Sequence, residues 1–156
     1  MNKLDRRLKV TDYEADYALW CAEQGTLLRE GRFDALDREN LAEEIESLGR
    51  SDKRQIESRL RVLTAHLLKW RFQPEKRKGD WQVTIRNQRI EILALVAESP
   101  SLRTHPARVL QAQYRVARAN AADETGLPED TFPEECPFTI EQVLDPNWLP
   151  EAAEQK

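Results

Sequence analysis

The stretch SDKRQIESRLRVLTAHLLKW, residues 51–70, decides the fold. Its apolar side chains recur at spacings of three and four residues, as an amphipathic helix requires. The repeat continues for about 20 residues in a heptad-like pattern, the strongest periodic signal in the chain. It consists of Ile56, Leu60, Leu63, Leu67 and Trp70. The stretch therefore predicts a long helix with one buried face.

Two further helices are predicted on the amino-terminal side. The first runs from Thr11 to Glu30, with Thr11 or Asp12 as its N-cap and Gly31 as a left-handed stop. Its apolar stripe contains Tyr13, Tyr17, Trp20, Leu27 and Leu28.

The second helix begins near Asp34 or Asp37 and carries Leu41, Ile45 and Leu48 on one face. Gly49 is its natural stop, and Ser51 or Asp52 would restart the next helix. Two arrangements follow from this punctuation: a long broken hairpin about Gly49, or one kinked helix.

On the carboxyl-terminal side, one helix is predicted from an Asp80 N-cap to the residues before Pro100. Another starts near Thr104 and stops at Gly126. Beyond it, prolines leave room only for a short helix at 139–144, opened by a capping box of Thr139 and Gln142. Apolar residues in this tail predict that it packs back onto the helices: Phe132, Phe138, Val143, Trp148 and Leu149.

Together these patterns predict an all-α antiparallel bundle of about five helices with an irregular, Pro-rich C-terminal segment packed against it. Residues 1–10 are expected to form an N-terminal arm, 11–150 a single helical domain and 151–156 a C-terminal tail. A chain of 156 residues is long enough to bury a core without disulfides or metals.

Composition and cysteine usage favour a cytoplasmic protein. The amino terminus lacks the apolar run of a signal peptide, and no stretch is apolar enough to span a membrane. The two cysteines, Cys21 and Cys136, lie far apart and outside any metal-binding motif, which fits a reducing compartment.

Four motifs in the same order resemble the helical bacterial family catalogued as domain of unknown function 29. They are YEADYALW from residue 13, LDRENLAEEIESLG from residue 36, HLLKW from residue 66 and FPEECPF from residue 132. The resemblance extends from about Tyr13 to Pro150. It implies an all-helical fold, and it implies no particular activity.

An acidic cluster is the first candidate for chemistry. Glu39, Glu43 and Glu46 are spaced by four and three residues, which places their carboxylates near one face of the second helix. His66 would lie opposite if the next helix is an antiparallel neighbour. Glu43, Glu46 and His66 would then form a small metal-dependent or acid/base site.

The ordinary alternative is an ion-pair network. The Glu-x-x-His motif of di-iron bundles is absent from the sequence. Glu43 or Glu46 would instead pair with His66, Arg50 or Arg86, and His66 would be a partly buried, hydrogen-bonded structural residue.

A basic segment is the second candidate. The net charge of −4 is unevenly distributed, at −5 over residues 1–49, +7 over 50–91 and −6 over 92–156. Cations alternate with Trp70, Phe72 and Trp81 in residues 69–89, a pattern typical of nucleic-acid contacts. The possible polyanion contacts are Lys69, Lys76, Arg77, Lys78 and Arg86. A solvated surface patch would give the same pattern.

The sequence contains no catalytic motif and calls for no cofactor or metal. We therefore expect a non-enzymatic interaction or regulatory module whose partner is another protein. Nucleic acid stays an alternative partner, a membrane is not expected, and the oligomeric state is left open.

Overall fold

The computed structural model describes residues 10–154 and shows an all-α fold in that range. The predicted fold class is thereby confirmed. Five α-helices lie within the described residues, joined by short 3-10 turns. They are α1 (Tyr17–Arg29), α2 (Arg38–Phe72), α3 (Gly79–Glu98), α4 (His105–Thr125) and α5 (Ile140–Leu144).

The chain divides into two compact units between Arg50 and Ser51. The described residues of each, 10–50 and 51–154, are named here the N-terminal unit and the C-terminal unit. The single domain expected over 11–150 thus contains two units. Of the expected arm 1–10, only Val10 lies within the described residues.

Helix α2 is one continuous helix of 35 residues, so the predicted stop at Gly49 is wrong. Gly49 lies inside it and does not have a positive φ angle. A helical glycine costs only about 1 kcal/mol relative to alanine, so a helix continues through it when the residues on both sides are helical. Of the two arrangements predicted, the hairpin is excluded and the single helix remains.

Two predicted N-caps are also wrong, whereas two predicted stops are confirmed. Asp16, rather than Thr11 or Asp12, caps α1 by accepting from the Leu19 N–H at 3.0 Å. Helix α3 begins one residue before Asp80, whose carboxylate accepts from the neighbouring Trp81 N–H. The predicted stops at Gly31 and Gly126 are both left-handed, with φ angles of 69° and 73°.

Long-range side-chain pairs define the helix directions in the C-terminal unit. Arg59 donates to Gln88 at 3.2 Å, and the ammonium of Lys69 lies over the Trp81 ring, so α2 and α3 run antiparallel. Between α2 and α4, partners with higher residue numbers on one helix pair with higher residue numbers on the other, so these two helices run parallel. The pairs are Glu57 with His105, Arg61 with Gln113 and Lys69 with Glu124. The core between them consists of fully buried aliphatic residues of α2 and α3 together with Tyr114 of α4.

The C-terminal segment packs onto this unit, as predicted. Phe132, Phe138 and Val143 are buried in the core. The Tyr114 hydroxyl donates to the Pro133 carbonyl, and the predicted capping box of Thr139 and Gln142 opens α5. Within residues 10–154, no helix combines the length and apolar character that crossing a membrane requires.

Candidate functional site

The continuous helix α2 carries all three residues of the first predicted site. Glu43 and Glu46 lie near its beginning and His66 near its end. A helix rises 1.5 Å per residue, so Glu46 and His66 are separated by about 30 Å along its axis. The arrangement in which His66 faces the carboxylates from a neighbouring helix is therefore not formed. Among residues 10–154, no group of three His, Cys, Asp or Glu side chains is placed to hold a metal ion.

The two carboxylates of this candidate share one exposed partner. Arg50 approaches Glu43 at 2.6 Å and Glu46 at 3.9 Å. This is the pairing with Arg50 that the ordinary alternative named. Because all three side chains are exposed, the pairs contribute little to stability.

His66 is half-buried and is held by its own helix. Its Nδ1 lies 2.9 Å from the Val62 carbonyl oxygen. Burial lowers the pKa of His66, and the nearby Lys69 ammonium acts in the same direction. The imidazole is therefore neutral at physiological pH and hydrogen-bonded to the helix backbone.

The structure separates the five cations of the basic segment into two groups. Lys69 is only 7% exposed, and its Nζ lies 2.7 Å from a Glu124 carboxylate oxygen. The Arg77 guanidinium covers the Trp70 ring and donates to the Trp70 carbonyl at 2.9 Å. Both are engaged within the C-terminal unit, in contrast to the exposed Lys76, Lys78 and Arg86.

The N-terminal unit contains a network that the sequence did not predict. The hydroxyls of Tyr13 and Tyr17 both donate to the Glu44 carboxylate, the latter at 2.7 Å. These bonds lower the pKa of Glu44 and, with the Glu44 bond as the largest cause, raise the pKa of Tyr13 to about 12. The pKa of Tyr17 is also raised. The pKa values of the carboxylate and of the two hydroxyls thus lie further from neutral pH than usual. General acid–base catalysis at neutral pH requires the opposite shift.

A second set of polar contacts connects α1 to the start of α2. The Trp20 indole N–H donates to the Asp37 carboxylate at 3.0 Å, and Asn40 donates to the same oxygen at 2.8 Å. The buried Gln24 side-chain oxygen accepts from the Asp37 N–H at 2.8 Å. Hydrogen bonds from the side chains of Asn40 and Trp20 lower the pKa of Asp37 and keep it ionised.

An apolar groove of about 300 Å³ lies between α1 and the first three turns of α2. Its most exposed members are Ile45 and Leu48, at 65% and 69% of their full accessible surface. Glu44 and Gln24 are the polar residues in its lining. The other lining residues are Tyr17, Trp20, Cys21, Gly25, Leu28 and Leu41.

The sequence pattern places Ile45 and Leu48 on one apolar face of the second helix and does not say what covers that face. Their spacing identifies an amphipathic helix and carries no information on whether another element covers it. The Glu44 network had one usable signal, which is the spacing of four between Tyr13 and Tyr17. In the helix predicted from Thr11, that spacing would place both tyrosines on one face, although Tyr13 precedes α1 in the structure.

Comparison with known proteins identifies a family and no characterised relative. No curated protein matches the chain, and no solved structure does. A family model, described as Domain of unknown function DUF29, matches residues 13–149 and so includes both units and the groove. The chain belongs to this family.

Proposed function

We propose that the chain is a non-enzymatic interaction module whose N-terminal unit docks a protein partner in the apolar groove. The exposure of Ile45 and Leu48 beside that groove carries the proposal. Contiguous exposed apolar surface with a polar rim marks sites of protein interaction, because leaving it in water is unfavourable.

The lining of the groove defines the partner's chemistry. It is mainly apolar, and its one charged residue, Glu44, already accepts hydrogen bonds from two tyrosine hydroxyls. Glu39, Glu43 and Glu46 are exposed on α2 but are not part of the lining. The best complement to an apolar groove is the apolar face of an amphipathic helix. The partner is accordingly expected to insert apolar side chains near Leu48.

Photo-crosslinking in the cell of origin tests this proposal. A photoreactive residue at position 48 is expected to give an adduct with one protein, which then binds the purified chain saturably. The matched control is position 93, because Leu93 is an exposed leucine of α3 in the C-terminal unit. Equal adducts from both positions, or none from position 48, would contradict the proposal. An adduct between two copies of the chain would assign the groove to self-association instead.

Polyanion binding through residues 69–89 is a second candidate, supported by three exposed cations. Lys76, Lys78 and Arg86 are exposed, whereas Lys69 and Arg77 are engaged in contacts within the C-terminal unit. A salt-dependent mobility shift with DNA or RNA that disappears when all three are changed to Glu would support it. The absence of any shift at low salt would exclude it.

The enzyme alternative built on Glu43, Glu46 and His66 has no comparable support. Such a site needs the carboxylates and the imidazole within reach of one substrate or ion. On a continuous α2 they are about 30 Å apart. Metal analysis of protein purified without chelator, repeated with His66→Ala, tests it directly.

A further inference from the structure

A cavity of about 260 Å³ in the C-terminal unit lies between the first half of α3 and the segment that follows α5. Helix α3 contributes Gln82, Arg86 and Arg89 to its lining, and Pro146 and Leu149 form part of the opposite wall. The three polar side chains are spaced by four and three residues, so they project from one face of α3. The lining contains two arginines and no Asp or Glu.

Arg89 is the unusual member of this lining, because it is a charged residue with only 2% of its surface exposed. Its Nε donates to the Val143 carbonyl at 2.8 Å, and its Nη2 donates to the Gln142 carbonyl at 3.3 Å. Both carbonyls belong to the last turn of α5, where intrahelical donors run out, and the Gln142 carbonyl also accepts from the Asp145 N–H at 3.3 Å. Arg89 therefore caps α5 with two of its nitrogens.

Capping leaves the charge of Arg89 without a full counter-ion. In the described part of the chain Arg89 has carbonyl partners and no carboxylate ion pair. Asp145 is the acidic group that acts on it from a distance, and its carboxylate accepts from the Asn147 N–H at 2.8 Å. Burial lowers the pKa of Arg89, which expresses the cost of holding an incompletely compensated charge away from water.

The second arginine lies at the mouth of the same cavity. Arg86 is exposed, one turn of α3 before the buried Arg89. Planar guanidinium groups bind carboxylate and phosphate oxygens with paired, charge-assisted hydrogen bonds. An anion in the cavity would supply the missing counter-charge to Arg89 and meet a second cation on its outer side.

We infer that this cavity binds the oxyanion group of a small ligand, a phosphate or a carboxylate. Arg89 holds it at the base, Arg86 at the mouth, and the Gln82 amide supplies a neutral donor. The site belongs to the C-terminal unit alone, so it does not depend on the docking function proposed for the groove.

Nuclear magnetic resonance of the full ¹⁵N-labelled chain tests this inference with two probes, inorganic phosphate and acetate. At constant ionic strength, with chloride as the reference, we expect saturable shifts of the Gln82 and Arg86 amides and of the Arg89 Nε–H. Saturation with one probe and not the other identifies which oxyanion the site prefers.

Variants separate a site from a general charge effect. Arg86→Gln, an exposed position whose loss leaves the α5 cap intact, is expected to weaken binding about tenfold. Arg115→Gln on α4 removes another exposed arginine of the unit, one outside the cavity, and is expected to leave binding unchanged. Shifts that stay linear in both anions, or that Arg86→Gln and Arg115→Gln alter equally, would overturn the inference.

Discussion

In the C-terminal unit four members of the apolar stripe of α2 are completely buried, Ile56, Leu60, Leu63 and Leu67, whereas in the N-terminal unit the same helix leaves Ile45 and Leu48 exposed. The C-terminal unit is held by a closed apolar core. In the N-terminal unit the buried residues are Trp20, Gln24 and Leu27, and polar bonds to Asp37 and Glu44 connect its elements.

The two parts of α2 therefore contribute differently to stability. Burial of apolar surface is the main source of stability, so the C-terminal unit supplies most of it. The N-terminal unit uses directional hydrogen bonds to position α1 against α2 and keeps apolar surface available. The docking function proposed above would use this exposed apolar surface.

The largest expected effect comes from truncating equivalent leucines in the two regions. Leu67→Ala in the buried stripe should lower the free energy of unfolding by about 3 kcal/mol, since it leaves a cavity in the core. Leu48→Ala should change it by less than about 0.5 kcal/mol, because that side chain is already in water. Urea denaturation followed by circular dichroism measures both. Equal losses would mean that Leu48 is covered and would remove the contrast.

The next effect concerns the polar bonds of the N-terminal unit. Trp20→Phe removes the indole donor to Asp37 and should cost about 1 kcal/mol in addition to the loss of packing. A double-mutant cycle of Trp20→Phe with Asp37→Ala, measured by urea denaturation, isolates that bond from the packing change. A coupling energy of zero would show that this bond does not hold α1 to α2.

A smaller effect tests the continuity of α2 between the two regions. Gly49→Ala should raise the free energy of unfolding by about 0.5–1 kcal/mol, because a Cβ at this helical position meets no atom within 4 Å. Gly126→Ala is the control and should lower it by a similar amount, since its φ angle is 73°. Thermal unfolding measures both. Destabilisation by Gly49→Ala would indicate that α2 breaks there after all.

The smallest expected effect is the pH dependence of the partly exposed Glu44 network. The folded pKa of Glu44 is lowered, so its contribution to stability is present above the ordinary pKa of 4.5 and is lost as the pH falls through the folded value. The folded pKa of Tyr13 is raised to about 12, so its contribution is present below pH 10 and is lost as the pH rises towards 12. Unfolding midpoints of wild type and Tyr13→Phe should therefore converge at both extremes.

The tyrosines offer a spectroscopic check on the same network. The chain has three tyrosines, and the pKa of each is raised: Tyr13 and Tyr17 by Glu44, and Tyr114 by burial. Tyrosinate absorbance of the native protein should consequently appear well above pH 10. A titration centred on pH 10 would show that the bonds to Glu44 do not form in solution.

Local patterns in the sequence predicted the helices and many of their ends. The helix stops at Gly31 and Gly126 and the capping box at Thr139 depend on neighbouring residues, so they are readable from the chain. The course of α2 through Gly49 was not readable in the same way. Whether a glycine stops a helix depends on the stability of the turns on both sides, and a single residue does not encode it.

The candidate sites were less predictable because they depend on tertiary neighbours. The sequence pattern groups Lys69 with the possible polyanion contacts, yet Lys69 pairs with Glu124, 55 residues away in the chain. The Glu44 network requires α1 to lie against α2, and the exposure of Leu48 depends on which elements pack over it. Periodicity identifies an apolar face, and only the packed structure shows whether that face is covered.

The central claim, that the open groove of the N-terminal unit docks a protein partner, is tested most directly by one affinity measurement. The partner identified at position 48 is purified and its dissociation constant is measured for wild type, for Ile45→Gln/Leu48→Gln and for Ile90→Gln/Leu93→Gln. The control pair has the same spacing and is also exposed, on α3. We predict that the first pair weakens binding at least tenfold, as the loss of two central apolar anchors does, and that the second leaves it unchanged. Equal affinity for wild type and Ile45→Gln/Leu48→Gln would contradict the account.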